Sequence, residues 1–312
     1  MPPSLVRGKG AFRHRMPGVA DTRPTAGERP SRCAGSAKRS RLTYCCASLL
    51  AEQWFTALMT HDQVLTLRYA AGSDVGKHRS GNEDSAYATV RLLAVADGMG
   101  GHAAGEVASA EAVAVLEELD TRLADEDLGE VDLGEELAEA VRTAASRLTE
   151  RVADDPALTG MGTTVTTMLW DCPRFALGHI GDSRCYQLRG DTLTQLTRDH
   201  TMVQTLVDQG RLTPEAAERH PSRSVLVRAL LANMPAEPDI SLHTAQVDDV
   251  YLLCSDGLTD VVGADDIQRV LTEVATGTAA PEEAVQSLID LANEGGGPDN
   301  ITCVVAHVVP ED

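Results

Sequence analysis

Four aspartates stand where strand-like runs meet tight-turn residues. Residues 92–96 run into Asp97-Gly98, residues 174–180 into Gly181-Asp182-Ser183, and residues 250–254 into Ser255-Asp256-Gly257, while Gly297-Pro298-Asp299-Asn300 leads into residues 301–309. A carboxylate at a strand end, beside a residue that lets the backbone turn sharply, is held rigidly at the mouth of a sheet. Several converging carboxylates repel one another unless a cation sits between them. Hard oxygen donors without paired Cys or His select Mg²⁺ or Mn²⁺ over zinc or copper. A single Asp-Gly is more often a hairpin turn than a ligand. Four at strand ends, with the acidic pair Glu83-Asp84 upstream, are a stronger signal.

The elements that must position these groups follow from periodicity. Further strand-like runs occur at 64–70, 85–90, 163–169, 185–189 and 192–196. Apolar residues at three- and four-residue spacing predict amphipathic helices over 103–123, 135–152, 264–272 and 281–293. Strands come in groups, then helices in pairs, then strands again. That order argues for an α+β fold, antiparallel sheets with helices packed outside, rather than a doubly wound sheet. A polar, helical insertion covers 199–223. Residues 1–41 are rich in Arg, Pro, Gly and Ser without periodicity, a composition that predicts disorder. The chain therefore divides into a basic, disordered extension over 1–63 and one domain over 64–309. Met59, just before the first strand-like run, is the expected native start.

Charge and cysteine usage narrow the function classes. The formal charge is −20, yet residues 1–66 carry ten Lys and Arg against four Asp and Glu, so the negative charge belongs to the remainder. An acidic body disfavours nucleic acid as a partner and attracts divalent cations. The seven cysteines form no CxxC pair or zinc spacing and fit free thiols in a reducing cytoplasm. No apolar run has the ~18–20 uncharged residues that span a bilayer. The nearest, 42–59, is interrupted by Glu52 and Gln53 and lacks a clean cleavage site, so neither secretion nor membrane insertion is expected.

The segment Ser73-Asp74-Val75-Gly76-Lys77-His78-Arg79-Ser80-Gly81-Asn82-Glu83-Asp84-Ser85 resembles the opening motif of PP2C-type (PPM) protein phosphatases. Asp97-Gly98-Met99-Gly100-Gly101-His102, Met161-Gly162-Thr163-Thr164, Gly181-Asp182-Ser183-Arg184, Ser255-Asp256-Gly257 and Gly297-Pro298-Asp299-Asn300 resemble the later motifs, in order, over residues 66–309. The likeness is greatest to bacterial, particularly actinobacterial, members that reverse Ser/Thr kinase signalling. It implies a four-layer α-β-β-α sandwich of two antiparallel sheets flanked by helix pairs, with 199–223 as a flap beside the active site.

Residue by residue, the resemblance implies two Mn²⁺ or Mg²⁺ ions. Asp97 bridges them, the Gly98 carbonyl completes one site, and Asp256 and Asp299 ligate the other. Glu83 and Asp84 match positions that hold metal-bound waters, and Asp182 matches a ligand of a third, weaker ion found in some members. Arg79 matches the guanidinium that grips the phosphate, a task suited to a planar fork. Asn300 is expected to orient Asp299. The implied reaction is direct attack by a hydroxide bridging the ions, with no phosphoenzyme. The implied partners are phosphorylated proteins, Ser/Thr kinases and their substrates, met by a cytoplasmic monomer. One departure is Met99, where many eukaryotic members have a His proposed to protonate the leaving alcohol. His102 is the nearest imidazole, and a metal-bound water is the alternative acid.

Other readings weigh less. Gly98-Met99-Gly100-Gly101-His102-Ala103 fits a dinucleotide pattern, but Asp97 puts a carboxylate where a pyrophosphate would lie, and no βαβ unit surrounds it. Within the resembling fold, a catalytically weak regulator acting on a phosphorylated sigma-factor antagonist, or a phosphopeptide-binding module, remains the alternative. Retention of Asp97, Asp256 and Asp299 favours the enzyme.

Overall fold

The computed structural model describes residues 64–100 and 103–311; the basic extension, Met59 and His102 lie outside the described residues. Long apolar runs become strands buried on both faces. In β3 (Leu92–Met99), Leu93 and Val95 point between two sheets, while Leu92 and Ala94 point to helices. In β12 (Ile301–Pro310), Val304, Ala306 and Val308 face inward, and Ile301, Cys303 and Val305 face outward. Alternate residues of a strand address opposite faces, so a continuous apolar run marks a strand covered on both.

One sheet has the order β1 (Leu65–Asp74), β12, β11 (Val250–Cys254), β7 (Arg184–Arg189), β8 (Thr192–Gln195). The other runs β10 (Asp239–Thr244), β6 (Arg174–Ile180), β5 (Val165–Asp171), β3, β4 (Gly162–Thr163), β9 (Leu230–Leu231), with β2 (Asp84–Ala88) also paired to β3. Every pairing is antiparallel. Helices α1 (Ala103–Arg122) and α2 (Leu133–Asp154) cover the second sheet, and α6 (Ala264–Ala275) and α7 (Pro281–Glu294) cover the first. The result is the expected four-layer α-β-β-α sandwich. Local chemistry sets the helix starts. Asp132 accepts the Gly134 and Glu135 amides at the head of α2, and Pro281 opens α7 where its missing N–H is not needed.

The differences from expectation have simple causes. β1 continues to Asp74 because β12 pairs with it along its whole length, ending at Asp74 opposite Ile301. β10 and β9 are not anticipated: β10 is an exposed edge strand along β6, with Leu242 69% accessible, and β9 has only two residues. The insertion 199–223 holds two short helices, α3 (Met202–Asp208) and α4 (Pro214–Glu218), capped by Thr201 and Thr213. No helix among the described residues is long and apolar enough to cross a membrane.

Leu253 is fully buried between the sheets. Leu253→Ala is expected to lower the unfolding free energy by ~2–5 kcal/mol in urea titrations. Glu150→Ala, at an exposed position of α2, is expected to stay within ~0.5 kcal/mol.

Candidate active site

The strand registers bring the acidic motifs to one end of the sandwich. Asp84 on β2 lies opposite Asp97 on β3. The Glu83 carbonyl accepts the Gly98 amide at 3.1 Å and the Ser109 hydroxyl at 2.6 Å, which pins this corner to α1. In the other sheet β11 and β12 end side by side, the Ser255 amide donating to the Thr302 carbonyl at 3.0 Å. Asp256 opens the four-residue helix α5 (Asp256–Thr259), so it is a helix start rather than a hairpin turn. Gly257 follows because the backbone passes so near: a Cβ there would lie 1.9 Å from the Asn300 carbonyl oxygen. The Ser255 hydroxyl donates to Asp84 Oδ2 at 2.8 Å and so joins the acidic ends of the two sheets.

Neutral side chains fix the carboxylates in place. Thr163 Oγ1 donates to the Asp97 carbonyl at 2.9 Å, and the Asp97 amide donates to Thr164 Oγ1 at 3.0 Å. Thr164 Oγ1 meets Ser183 Oγ at 2.7 Å, beside Asp182. Gly181, at φ +116°, makes the turn into Asp182, and its amide donates to His200 Nδ1 at 3.0 Å. Asn300 holds backbone groups as well as its neighbour Asp299. Its side chain accepts the Glu83 amide at 2.8 Å and donates to the carbonyls of Val75 and Gly81 at 2.9 and 3.0 Å. Only its backbone amide reaches Asp299 Oδ1, at 2.8 Å. The Arg79 Nη2 lies 2.6 Å from Asp299 Oδ2, so the expected phosphate grip is paired with an expected metal ligand.

Electrostatics then test whether a cation fits. Burial, followed by the charges of Asp84, Asp256, Asp182 and Asp299, holds the Asp97 carboxyl well above the ordinary range. Burial, then Asp182 and Asp260, push Asp256 up to about 8. Burial is also the leading cause at Asp84 and Asp182, each pushed up to about 6. Carboxylates in this position favour protons or metal ions. The donors are hard oxygens, the chemistry of Mg²⁺ or Mn²⁺. Among the described residues no three carboxylate, imidazole or thiol groups are already closed around one metal-sized point. The carboxylates are electrostatic neighbours, and Arg79 pairs with one of them, Asp299. Two participants escape sequence reasoning. Asp260 stands one helical turn from Asp256, a spacing that could have revealed it. Asp199 takes a bidentate pair from Arg184, at 3.0 and 2.6 Å, beside Asp182.

The folded chain binds these carboxyl protons more tightly than the unfolded chain, whose carboxylates titrate near 4. Their contribution to stability therefore falls as pH rises through the folded values of about 6 and about 8. In EDTA, the thermal midpoint is expected to drop across that window. Added Mn²⁺ should restore it, with a larger gain at the alkaline end. Asp256→Asn should raise the midpoint in EDTA and shrink the Mn²⁺ gain. A Mn²⁺ gain independent of pH would contradict this account.

Comparison with known proteins agrees with the geometry. The family model described as Protein phosphatase 2C matches residues 77–292. The serine/threonine protein phosphatase PstP of Mycobacterium tuberculosis is 52% identical over 250 residues, which cover 80% of this chain and 46% of that protein, so the chain spans about half of that relative's length. The protein phosphatase PhpP of Streptococcus pneumoniae is 32% identical over 77% of this chain and 97% of its own length. Among solved structures, the crystal structure of the M. tuberculosis phosphatase PstP/Ppp superposes with a TM-score of 0.73 at 50% identity, covering 79% of this chain and 100% of that one. The PstP catalytic domain in complex with two manganese ions superposes with a TM-score of 0.71 at 50% identity, covering 78% and 99%. Sequence and fold agree, and the chain belongs to the protein phosphatase 2C family.

Proposed function

We propose that this chain is a metal-dependent protein serine/threonine phosphatase that opposes Ser/Thr kinases by hydrolysing phosphoserine and phosphothreonine in proteins. The observation that carries the reading is the convergence of Asp84, Asp97, Asp182, Asp256 and Asp299 at one end of the sandwich, with the Arg79 guanidinium at their rim. Asp97 with the Gly98 carbonyl, Asp256 and Asp299 would hold two Mn²⁺ or Mg²⁺ ions. Glu83 and Asp84 would take their waters, and Asp182 would take a third, weaker ion. Bound there, such ions supply a water made nucleophilic near neutral pH and positive charge against the phosphoryl oxygens. The two-manganese complex of the mycobacterial relative supports this assignment.

The chain's own residues do the rest. Arg79, half-exposed and paired with Asp299, would exchange that carboxylate for two phosphate oxygens and orient the phosphorus. Ser255 and Asn300 hold Asp84 and the 75–83 loop against Asp299, so the grip and the carboxylates keep one spacing. Cys185, Cys254 and Cys303 are fully buried, and burial pushes their thiols up, Cys254 to about 12. They offer no thiolate nucleophile, which favours water as the attacking group. Free cysteines also fit a reducing compartment, and a cytoplasmic monomer acting on phosphorylated kinases and their substrates is part of this reading.

The test is hydrolysis of p-nitrophenyl phosphate and of a phosphothreonine peptide by the purified chain. Activity is expected to vanish in EDTA and return with Mn²⁺. Asp256→Asn should lose more than ~100-fold, since partners outside the ligand set alone are worth 10–100-fold. Robust hydrolysis by that variant, or in EDTA, would overturn the mechanism. Arg79→Ala should weaken kcat/KM by ~10²-fold, the scale for removing one transition-state donor. Part of that loss should appear in KM.

A further inference from the structure

Lys77 is the only lysine after residue 38 in a chain whose other cations are nearly all arginine. It is exposed, as are His78, Arg79, Ser80 and Gly81. Among the described residues, Arg68, Lys77, Arg211 and Arg219 are the Lys and Arg side chains that make no ion pair with another described residue. Of these, Lys77 stands two residues from Arg79, whose guanidinium touches Asp299.

The loop that carries Lys77 is fastened on both sides. The Lys77 amide donates to the Gly297 carbonyl at 2.8 Å, on the segment that leads into Asp299. Asn300 holds the carbonyls of Val75 and Gly81, on either side of the apex. Gly76, at φ +75°, packs so near the Asp299 carbonyl that a Cβ would lie 2.2 Å from it. Asp74, the nearest acid along the chain, is turned to other work, its Oδ1 accepting the Gly76 amide at 2.8 Å and the Asn293 side-chain amide at 3.1 Å. A backbone this well tied presents residues 77–80 as a fixed rim beside the carboxylates. On a strongly acidic body, an anionic peptide is favoured near such unpaired cations, and Lys77 is the one next to Arg79 along the loop. Lysine suits the task, being a compact charge with three donors on a flexible stem that can follow a carboxylate or a phosphate.

We propose that Lys77, with His78 beside it, is a specificity-determining cation that recognises an anionic side chain next to the hydrolysed residue. Preferred substrates then carry a carboxylate or a second phosphate adjacent to the target phosphoserine or phosphothreonine. This rests on the phosphatase reading above and names the substrate class of that site.

The experiment compares kcat/KM of the full chain with Mn²⁺ on matched phosphothreonine peptides. The flanking residue on either side is Ala, Glu or a second phosphothreonine, and p-nitrophenyl phosphate is the control. The wild type is expected to prefer the Glu peptide by ~3–5-fold over Ala, the scale of one exposed charge pair, and the doubly phosphorylated peptide by more. Lys77→Ala should erase the preference, Lys77→Arg should keep it, and Lys77→Glu should reverse it. All three should leave p-nitrophenyl phosphate hydrolysis unchanged. A wild type indifferent to flanking charge would overturn the inference. So would a preference that survives Lys77→Ala, or one that falls instead in Arg219→Ala on the insertion. A wild type inactive on p-nitrophenyl phosphate overturns the phosphatase reading and this inference with it, whereas indifference to peptides with that control intact overturns this inference alone.

Discussion

Repulsion among carboxylates at the end of the sandwich is the constraint from which the rest of the site follows. Asp97 comes from one sheet and Asp256 and Asp299 from the other, yet Asp256 and Asp299 raise the proton affinity of Asp97, and Asp299 raises that of Asp256. Gathering them needs a proton or a cation to relieve the repulsion, because burying like charges together disfavours their ionised forms. The stability needed to hold them comes from elsewhere, chiefly the apolar layer between the sheets, where Phe175, Tyr251, Leu253 and Val304 are fully buried. The two sheets thus act as a rigid press whose open end carries the charge.

Precision within that end comes from neutral hydrogen-bonding groups, which can be buried without adding to the repulsion. Thr163 and Thr164 hold both backbone groups of Asp97. Ser255 reaches from one sheet to Asp84 on the other, and the Thr302 amide in turn donates to Ser255 Oγ at 3.0 Å. Asn300 is 4% exposed and uses its oxygen and both amide hydrogens on backbone groups of residues 75–83. A buried polar group with all its partners met is inexpensive and specific, while one left unmet is costly. These residues therefore set the spacing that charge alone would blow apart.

Much of this is legible before any coordinates. The runs at 92–96 and 301–309 read as strands because both of their faces are covered, so nearly every residue is apolar. The aspartates read as candidates because glycine or serine beside them marks a sharp change of direction. What the chain conceals is whatever depends on residues distant in sequence. The Arg79–Asp299 pair spans 220 positions. The work of Asn300 on residues 75–83 cannot be seen from its neighbours Asp299 and Ile301. β10 escapes because an exposed edge strand has little burial to impose a pattern, its alternating Ile240 and Leu242 lying partly in solvent. Asp260 is the instructive middle case: its distance from Asp256 is one helical turn, but that matters only once α5 is known to begin at Asp256.

The insertion 199–223 shows how the same economy of contacts extends beyond the carboxylates. His200, at its entry, accepts the Gly181 amide through Nδ1, so its Nε2 carries the proton and donates to Asp239 Oδ2 at 3.0 Å. Arg228, just past its exit, holds the other oxygen of Asp239 at 2.7 Å. The Val227 amide closes the ring on the His200 carbonyl at 2.8 Å. Arg223, at the last position of the insertion, reaches Asp260 beside Asp256, again at 2.8 Å. Both feet of the insertion are therefore fastened to the loops that carry Asp182 and Asp256, while α3 and α4 between them bury little more than Val203. The insertion is thus fixed at its ends and lightly packed in its middle. Substitutions in α3 and α4 are therefore expected to leave the placement of Asp182 and Asp256 undisturbed.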